Sequence, residues 1–95
     1  MKYYAARLKK AGIIPNSLIV FGSHAKGTNK PFSDIDVCVV SKKFGKNRHT
    51  EMVRLLHLTD DKTMDIEPHP YHPSDLKNKW DPLAAEILRY GIVFN

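Results

Sequence analysis

Two stretches of sequence decide the fold of this chain: Ser17-Leu-Ile-Val-Phe-Gly-Ser23 and Ser33-Asp-Ile-Asp-Val-Cys-Val-Val-Ser41. Each contains a short apolar run rich in β-branched residues and bounded by turn residues, which is typical of a buried strand. We therefore predict strands over Ser17–Phe21 and Ile35–Ser41, with a turn at Gly22-Ser23 leading into a short helix.

The flanking segments alternate between helical and extended patterns. The residue spacing and the turn residues predict helices over Tyr4–Lys10, over Arg48–Thr59 and from Pro82 to Gly91. A third strand is predicted over Lys62–Glu67, followed by an extended connection imposed by Pro68, Pro70 and Pro73, a short helix from Ser74 and a last strand at 92–94. This order predicts an α/β (α+β) domain with one small mixed β-sheet packed against helices.

Length and composition limit the chain to one small globular domain, residues 1–95. Ninety-five residues with 42% hydrophobic side chains can bury a single core, and they are too few for two. We expect no membrane span, because the longest apolar runs are only a few residues and a span needs about 20. The single cysteine, Cys38, and the lack of a secretory pattern at the N-terminus predict a cytoplasmic protein.

Charge is distributed unevenly along the chain. The net charge is +5, and the first fifty residues hold ten basic residues but only two acids, Asp34 and Asp36. A basic field attracts phosphate groups of nucleotides or nucleic acids, although a solvated basic surface that maintains solubility is the simpler interpretation.

The turn after the first strand can bind an anion. Gly22 lets a ligand approach the backbone, the Ser23 hydroxyl can hold a phosphate oxygen, and Lys26 can add a positive charge. The spacing of Gly22 and Gly27 is also that of a P-loop, but Thr28 stands where the phosphate-binding lysine is required. An ordinary turn remains the alternative to a phosphate site.

Paired carboxylates stand at the start of the second strand. Strand alternation places Asp34 and Asp36 on one face, where their mutual repulsion favours a bound cation such as Mg²⁺. A turn cap, or a surface ion pair with a nearby lysine, is the alternative to a metal site. Asp65 would join them if the third strand lies beside the second, and three acids around one or two ions suit phosphoryl or nucleotidyl transfer. Glu67 shares the face of Asp65, and we interpret it as an exposed acid on a strand edge.

Together these motifs resemble the minimal nucleotidyltransferases of the DNA polymerase beta-like superfamily. The resemblance is carried by Gly22-Ser23-x-Ala25-Lys26-Gly27, Ser33-Asp34-Ile35-Asp36 and Asp65-Ile66-Glu67-Pro68-His69-Pro70, and it extends to Asp81-Pro82-Leu83 and Gly91-Ile92. It therefore spans nearly the whole chain and implies the nucleotidyltransferase-like fold.

The resemblance also implies a role for each matching residue. Gly22 and Ser23 would hold a nucleoside triphosphate such as ATP, with Lys26 at a position where relatives commonly carry arginine. Asp34, Asp36 and Asp65 would be the catalytic acids and the ligands of two Mg²⁺ ions. The implied reaction transfers a nucleoside monophosphate, AMP in the simplest case, to a hydroxyl group.

Family members of this size often act as antitoxins, so the resemblance implies a partner. The expected partner is a toxin of the HEPN ribonuclease class that accepts AMP on a tyrosine, or else a second copy of this chain. Three alternatives stay open: a binding module that neutralises its partner by contact, a small-molecule nucleotidyltransferase, and an RNA-binding domain. Nucleic acid is the least favoured ligand because no aromatic-rich RNA motif is present. A zinc site at His69 and His72 is likewise not favoured, because zinc needs three or four placed ligands.

Overall fold

The computed structural model describes residues 2–27, 34–59 and 65–94. Its elements, in chain order, are α1 (Lys2–Lys10), β1 (Ser17–Phe21), α2 (Ser23–Lys26), β2 (Ile35–Val40), α3 (Arg48–His57), β3 (Ile66–Tyr71), a 3₁₀ helix (Pro73–Lys77), α4 (Pro82–Tyr90) and β4 (Ile92–Val93). The predicted alternation of helices and strands is confirmed, and the predicted loop from Gly27 to Ser33 lies, after Gly27, outside the described residues.

The strands form one mixed sheet in the order β3-β2-β1-β4. β1 pairs antiparallel with both β2 and β4, whereas β2 pairs parallel with β3. The first residues of β2 and β3, Ile35 and Ile66, are partners in the register. Both strands therefore begin at the same edge of the sheet, which is where the acids singled out in the sequence are found.

Apolar residues cover both faces of the sheet. On one face α1 and α3 pack against β1 and β2, and on the other α4 and the 3₁₀ helix pack against the same sheet. Residue alternation along β2 sends Val37 and Val39 to the first face and Cys38 and Val40 to the second. Asp36 consequently belongs to the α4 face. Burial raises the pKa of the Cys38 thiol to about 12, in keeping with a packed, unreactive side chain.

The third strand differs from the one predicted. It runs over Ile66–Tyr71 and includes Pro68 and Pro70, which we had assigned to an extended connection. The earlier part of the predicted strand, residues 62–64, lies outside the described residues. A strand tolerates proline where the missing N–H would point away from its neighbour.

The hydrogen bonds of β3 explain this tolerance. The carbonyls of Asp65 and Tyr71 accept from Ile35 and Ser41 on the β2 side. Backbone groups alternate in direction along a strand, so those of Pro68 and Pro70 point to the free edge of the sheet. Within residues 2–27, 34–59 and 65–94, no strand pairs with β3 on that side. The prolines therefore cost no hydrogen bond, and they deny the edge to another strand.

The membrane prediction agrees with the described part of the chain, where no helix is both long and apolar enough to cross a bilayer. Among the aromatic side chains, Tyr71 is buried in the core, whereas Trp80 is 90% exposed.

A hydrogen bond between Tyr71 and Asp81 joins the end of β3 to the start of α4. The Tyr71 hydroxyl donates to Asp81 Oδ2 at 2.8 Å, and Asp81 Oδ1 caps the helix by accepting from the Leu83 N–H at 3.0 Å. Burial alone would raise the pKa of Asp81. The hydrogen bonds from Tyr71, Ala84 and Leu83 and the charge of Arg48 outweigh it and leave the pKa below the ordinary value of 3.8.

This linkage predicts a loss of stability in acid. Because the pKa of Asp81 is lower in the folded state, the carboxylate stabilises the fold above about pH 4, and this contribution disappears as the pH falls through the folded-state pKa. Asp81→Asn retains a good helix cap but removes the charge. Chemical unfolding between pH 2 and pH 6 should therefore show a weaker pH dependence for Asp81→Asn and for Tyr71→Phe than for the wild type. Parallel curves for all three proteins would contradict the prediction.

Candidate active site

The turn after β1 lies directly against the carboxylate of Asp36. Phe21 pairs with Asp36 across the antiparallel β1–β2 ladder, and Gly22 follows with a φ of 76°. A Cβ added to Gly22 would overlap Asp36 Oδ2 and come within 3.3 Å of its Cγ. Gly22 thus meets two requirements at once, a left-handed backbone and a bare Cα. The residue predicted to hold a phosphate and one predicted to hold a metal are in contact.

A second carboxylate and an imidazole complete a cluster with Asp36. The parallel register places Glu67 beside Asp36, and His69 lies one strand repeat further along the same face. His69 Nε2 is 3.2 Å from Asp36 Oδ1 and 3.9 Å from Glu67 Oε1. One ligand atom from each of the three residues lies within 4.8 Å of the others. This donor set can hold a divalent cation.

Packing orients the imidazole toward the carboxylates. The rings of His69 and Phe21 meet edge to face, with their centroids 5.1 Å apart and their planes at 62°. Phe21 is buried in the α4 face of the core, and the His69 side chain is 19% exposed. The ring is therefore supported on its inner side while its Nε2 atom reaches Asp36 at the surface of the cluster.

Asp34 and Asp65 lie one residue before the paired strand starts. The Ile35 N–H donates to the Asp65 carbonyl at 2.7 Å, so the backbone segments that carry these two acids are held together. Both acids are exposed, and neither belongs to the compact cluster of Asp36, Glu67 and His69. All three predicted acids nevertheless sit at the same edge of adjacent strands. Their role as ligands of two ions stays a prediction.

Lys26, predicted to contact a nucleotide, makes its described contacts with α4. Its ammonium forms an ion pair with Glu86 and lies 5.0 Å from the centroid of the Tyr90 ring. Ser23, at the start of α2, is partly exposed beside Gly22. The residues predicted to bind phosphate are thus divided: Gly22 lies against Asp36 and Ser23 follows it, whereas the ammonium of Lys26 contacts the last helix.

The sequence interpretation missed Glu67 and His69 as members of the site. The sequence predicts that Glu67 is an exposed acid on a strand edge, and its side chain is 45% exposed. Glu67 also lies beside Asp36 in the parallel register. His69 was considered only together with His72, which instead caps the 3₁₀ helix by accepting from the Ser74 N–H at 3.1 Å. The signal was the spacing of Asp65, Glu67 and His69, which alternation along one strand places on one face.

The opposite end of the parallel pair carries a different surface. Lys42, Lys46 and His72 line an open groove of about 320 Å³ beyond the last residues of β2 and β3. This groove is basic, whereas the Asp36 cluster is acidic, and the length of the strands separates the two. Lys42 and Lys46, two of the ten basic residues in the first half of the chain, therefore do not surround the carboxylates.

Comparison with known proteins bears on the family and the fold of this chain. The sequence model of the nucleotidyltransferase domain family matches residues 2–88, nearly the whole chain. A protein of Methanocaldococcus jannaschii that bears the name "Putative protein adenylyltransferase MJ1305" is 34% identical over 85 residues. That match takes in 83% of this chain but 58% of the relative, so the chain spans little more than half the length of the curated relative it matches.

A solved structure shares the fold. The crystal structure of a toxin-antitoxin with AMP-PNP superimposes with a TM-score of 0.61 over 97% of this chain and 69% of the chain in that structure. The sequence identity is 19%, so this likeness concerns the fold alone. It confirms the predicted class, a small mixed sheet packed with helices.

The contact between Gly22 and Asp36 leads to a prediction with a matched control. Gly12 has a similar φ of 81° but no atom within 4 Å of an added Cβ, so Gly12→Ala measures backbone strain alone, about 1 kcal/mol. Gly22→Ala adds the overlap with Asp36 and should cost a further 1–3 kcal/mol, roughly the penalty of overpacking. Urea unfolding of both variants measures the difference. Equal destabilisation would show that Asp36 moves aside freely.

Proposed function

The chain belongs to the nucleotidyltransferase domain family, and we propose that it transfers AMP from ATP to a hydroxyl group of a partner protein. The observation that carries the proposal is the packing of the Asp36 carboxylate against the bare Cα of Gly22. This contact joins a turn that a phosphate can approach to an acidic cluster that can hold cations. Nucleotidyl transfer needs these two elements side by side.

Gly22 and Ser23 are proposed to receive the triphosphate. Gly22 turns the backbone with its positive φ and leaves the space of a side chain to the Asp36 carboxylate, and the adjacent Ser23 hydroxyl can donate to a phosphate oxygen. Because Gly22 lies against Asp36 and Ser23 is the next residue, a triphosphate held here would lie next to the carboxylates. The phosphate charges need neutralising at this point, and the carboxylates alone would repel them.

Asp34, Asp36 and Asp65 are proposed to bind two Mg²⁺ ions. Their oxygen atoms suit this hard cation, and the Asp36 carboxylate is held in place by Gly22 and by the hydrogen bond with His69. Bound Mg²⁺ would neutralise the triphosphate and favour the attacking oxygen as an alkoxide. The role of the protein is to fix the carboxylates and orient the α-phosphate toward the acceptor.

The proposed reaction is a single in-line displacement. The acceptor oxygen forms a bond to the α-phosphorus, the bond between that phosphorus and the bridging oxygen of the β-phosphate breaks, and pyrophosphate leaves. The proton of the acceptor hydroxyl passes to Asp65 or to solvent. No oxidation or covalent enzyme intermediate is involved, so the residues act by positioning and electrostatics.

A tyrosine of a HEPN-class toxin is the proposed acceptor. Two likenesses support a protein acceptor and a toxin partner: the relative from Methanocaldococcus jannaschii carries the name of a protein adenylyltransferase, and the solved structure of the same fold is a toxin-antitoxin with AMP-PNP. The tyrosine and the HEPN class are what the family resemblance implies. Apolar side chains on and after α4 are exposed, with Leu88 at 63%, Ile92 at 56% and Val93 at 60%. Such a surface favours a partner.

The same exposed surface supports a second candidate function, neutralisation by contact without catalysis. A toxin that docks on Leu88, Ile92 and Val93 could be masked whether or not the acids are used. The two functions differ in their dependence on Asp34, Asp36 and Asp65. Transfer requires these carboxylates, whereas a contact surface on α4 and β4 does not.

Replacement of Asp36 by Asn tests the transferase. We expect the full chain, incubated with labelled ATP, Mg²⁺ and the partner toxin, to add the mass of one AMP to the partner. Asp36→Asn and Asp34→Asn should lower the rate by at least about a hundredfold, since each removes a charged group from the reacting centre. Asp75→Asn, at the opposite end of β3, should retain the activity.

Intact mass and complex formation are measured on the same samples. A partner that binds tightly but gains no mass, or an Asp36→Asn variant with full activity, would overturn the transferase proposal. Transfer of AMP to a small hydroxyl compound but to no protein would retain the reaction and change the acceptor. Circular dichroism of each variant checks that the fold is intact.

The ion pair between Lys26 and Glu86 gives a further prediction about ATP. If Lys26 contacts the triphosphate, Glu86 competes for its ammonium, and Glu86→Gln should strengthen ATP binding. The gain should not exceed about fivefold, because a partly exposed ion pair contributes at most about 1 kcal/mol. Lys26→Ala should weaken binding, as measured by fluorescence anisotropy of a labelled ATP. Unchanged affinity in both variants would assign Lys26 a purely structural role.

A further inference from the structure

We propose that Asp36, Glu67 and His69 form a second cation site that prefers a divalent transition-metal ion, represented by Mn²⁺, over Mg²⁺. The inference rests on the proposed function, because it assigns a distinct ion to the same centre. Asp36 is shared between this set and the set of Asp34, Asp36 and Asp65. Both sets can use Asp36 because β2 and β3 run in the same direction. Along the shared face of the sheet, Asp36 lies between Asp34 and the position of His69.

The distances within the cluster suit a single ion. Ligand atoms about 2.1 Å from an ion lie about 3 Å apart when adjacent and about 4.2 Å apart when opposite. The measured separations from His69 Nε2 are 3.2 Å to Asp36 and 3.9 Å to Glu67, and no chosen pair exceeds 4.8 Å. Small side-chain rotations therefore bring all three donors to one ion without moving the backbone.

The imidazole determines which ion is preferred. Mg²⁺ takes oxygen ligands almost exclusively and keeps much of its water shell. A set of two carboxylates and one imidazole suits Mn²⁺ and the later divalent ions of the first transition row, for which nitrogen is a favourable ligand. The three acids of the predicted Mg²⁺ set offer no nitrogen atom. His69 thus distinguishes the two ligand sets, because only the set of Asp36, Glu67 and His69 offers a nitrogen ligand.

The three side chains are held in place by different parts of the fold. Asp36 packs against Gly22, His69 against the buried ring of Phe21, and Glu67 is fixed beside Asp36 by the parallel register. A ligand set that is already assembled loses little conformational freedom when an ion binds. The hydrogen bond between His69 and Asp36 alone could also account for the geometry, and the experiment below separates the two cases.

The test uses the full chain with Mn²⁺ alone, without nucleotide. Titration calorimetry measures the affinity, and pulsed electron paramagnetic resonance detects the ¹⁴N nucleus of a histidine bound to Mn²⁺. We expect a ¹⁴N coupling in the wild type and in His72→Gln, which alters a histidine outside the cluster. His69→Gln should remove the coupling and weaken Mn²⁺ at least about tenfold, while Mg²⁺ affinity changes less than about threefold.

The outcomes separate this inference from the transferase. Absence of ¹⁴N coupling in the wild type would overturn the second site, and this measurement does not depend on the folding of any variant. Equal Mn²⁺ affinity in His69→Gln and His72→Gln would overturn it as well. If the second site is overturned but AMP transfer still depends on Asp34 and Asp36, the proposed function is retained without that site. A coupling lost only in His69→Gln, in a protein without transfer activity, would support the site and reject the transferase.

Discussion

The structure of the candidate site depends on one close contact, the Asp36 carboxylate against the bare Cα of Gly22. Asp36 lies at the end of β2 that emerges from the core, since the residues from Val37 to Val40 are buried. Its side chain must turn across the neighbouring strand end, and only a glycine leaves room there. The contact therefore links the glycine turn after β1 to a carboxylate of β2. A substitution at Gly22 or at Asp36 changes the surroundings of the other residue.

Parallel pairing of β2 with β3 supplies the rest of the cluster. In a parallel pair the two strands begin at one edge, so Glu67 and His69 rise beside Asp36, whereas an antiparallel β3 would carry them in the opposite direction along β2. The connection between these strands includes α3, which packs on the face of the sheet opposite the cluster. The face that carries the cluster therefore stays available to α4 and to the acids. Pro68 and Pro70 are compatible with this arrangement because β3 is an edge strand.

The last helix, α4, covers the face of the sheet that carries the cluster. Asp81 receives a hydrogen bond from Tyr71 at the far end of β3, and Glu86 holds Lys26 beside the glycine turn. α4 thus contacts both ends of the sheet that carries the cluster. Its outward side and the following strand expose apolar side chains. The same helix therefore packs against the candidate site on its inner side and exposes apolar side chains on its outer side, so the two proposed functions, catalysis and contact, would use opposite sides of α4.

Local signals were enough to predict the strands β1 and β2, the glycine turn after β1 and the order of the helices, because hydrophobic periodicity and turn residues act over a few positions of the sequence. The sequence also singled out Gly22 and Asp36, which the structure brings into contact, since a glycine after a buried strand and paired acids at a strand start are local patterns. It did not determine β3: the prolines indicated a connection, and only the edge position in the sheet makes them compatible with a strand. Nor could it select Glu67 and His69, whose distance from Asp36 is set by pairing between strands thirty residues apart. Tertiary structure decided these points, because register and edge position are properties of the assembled sheet and not of any one segment.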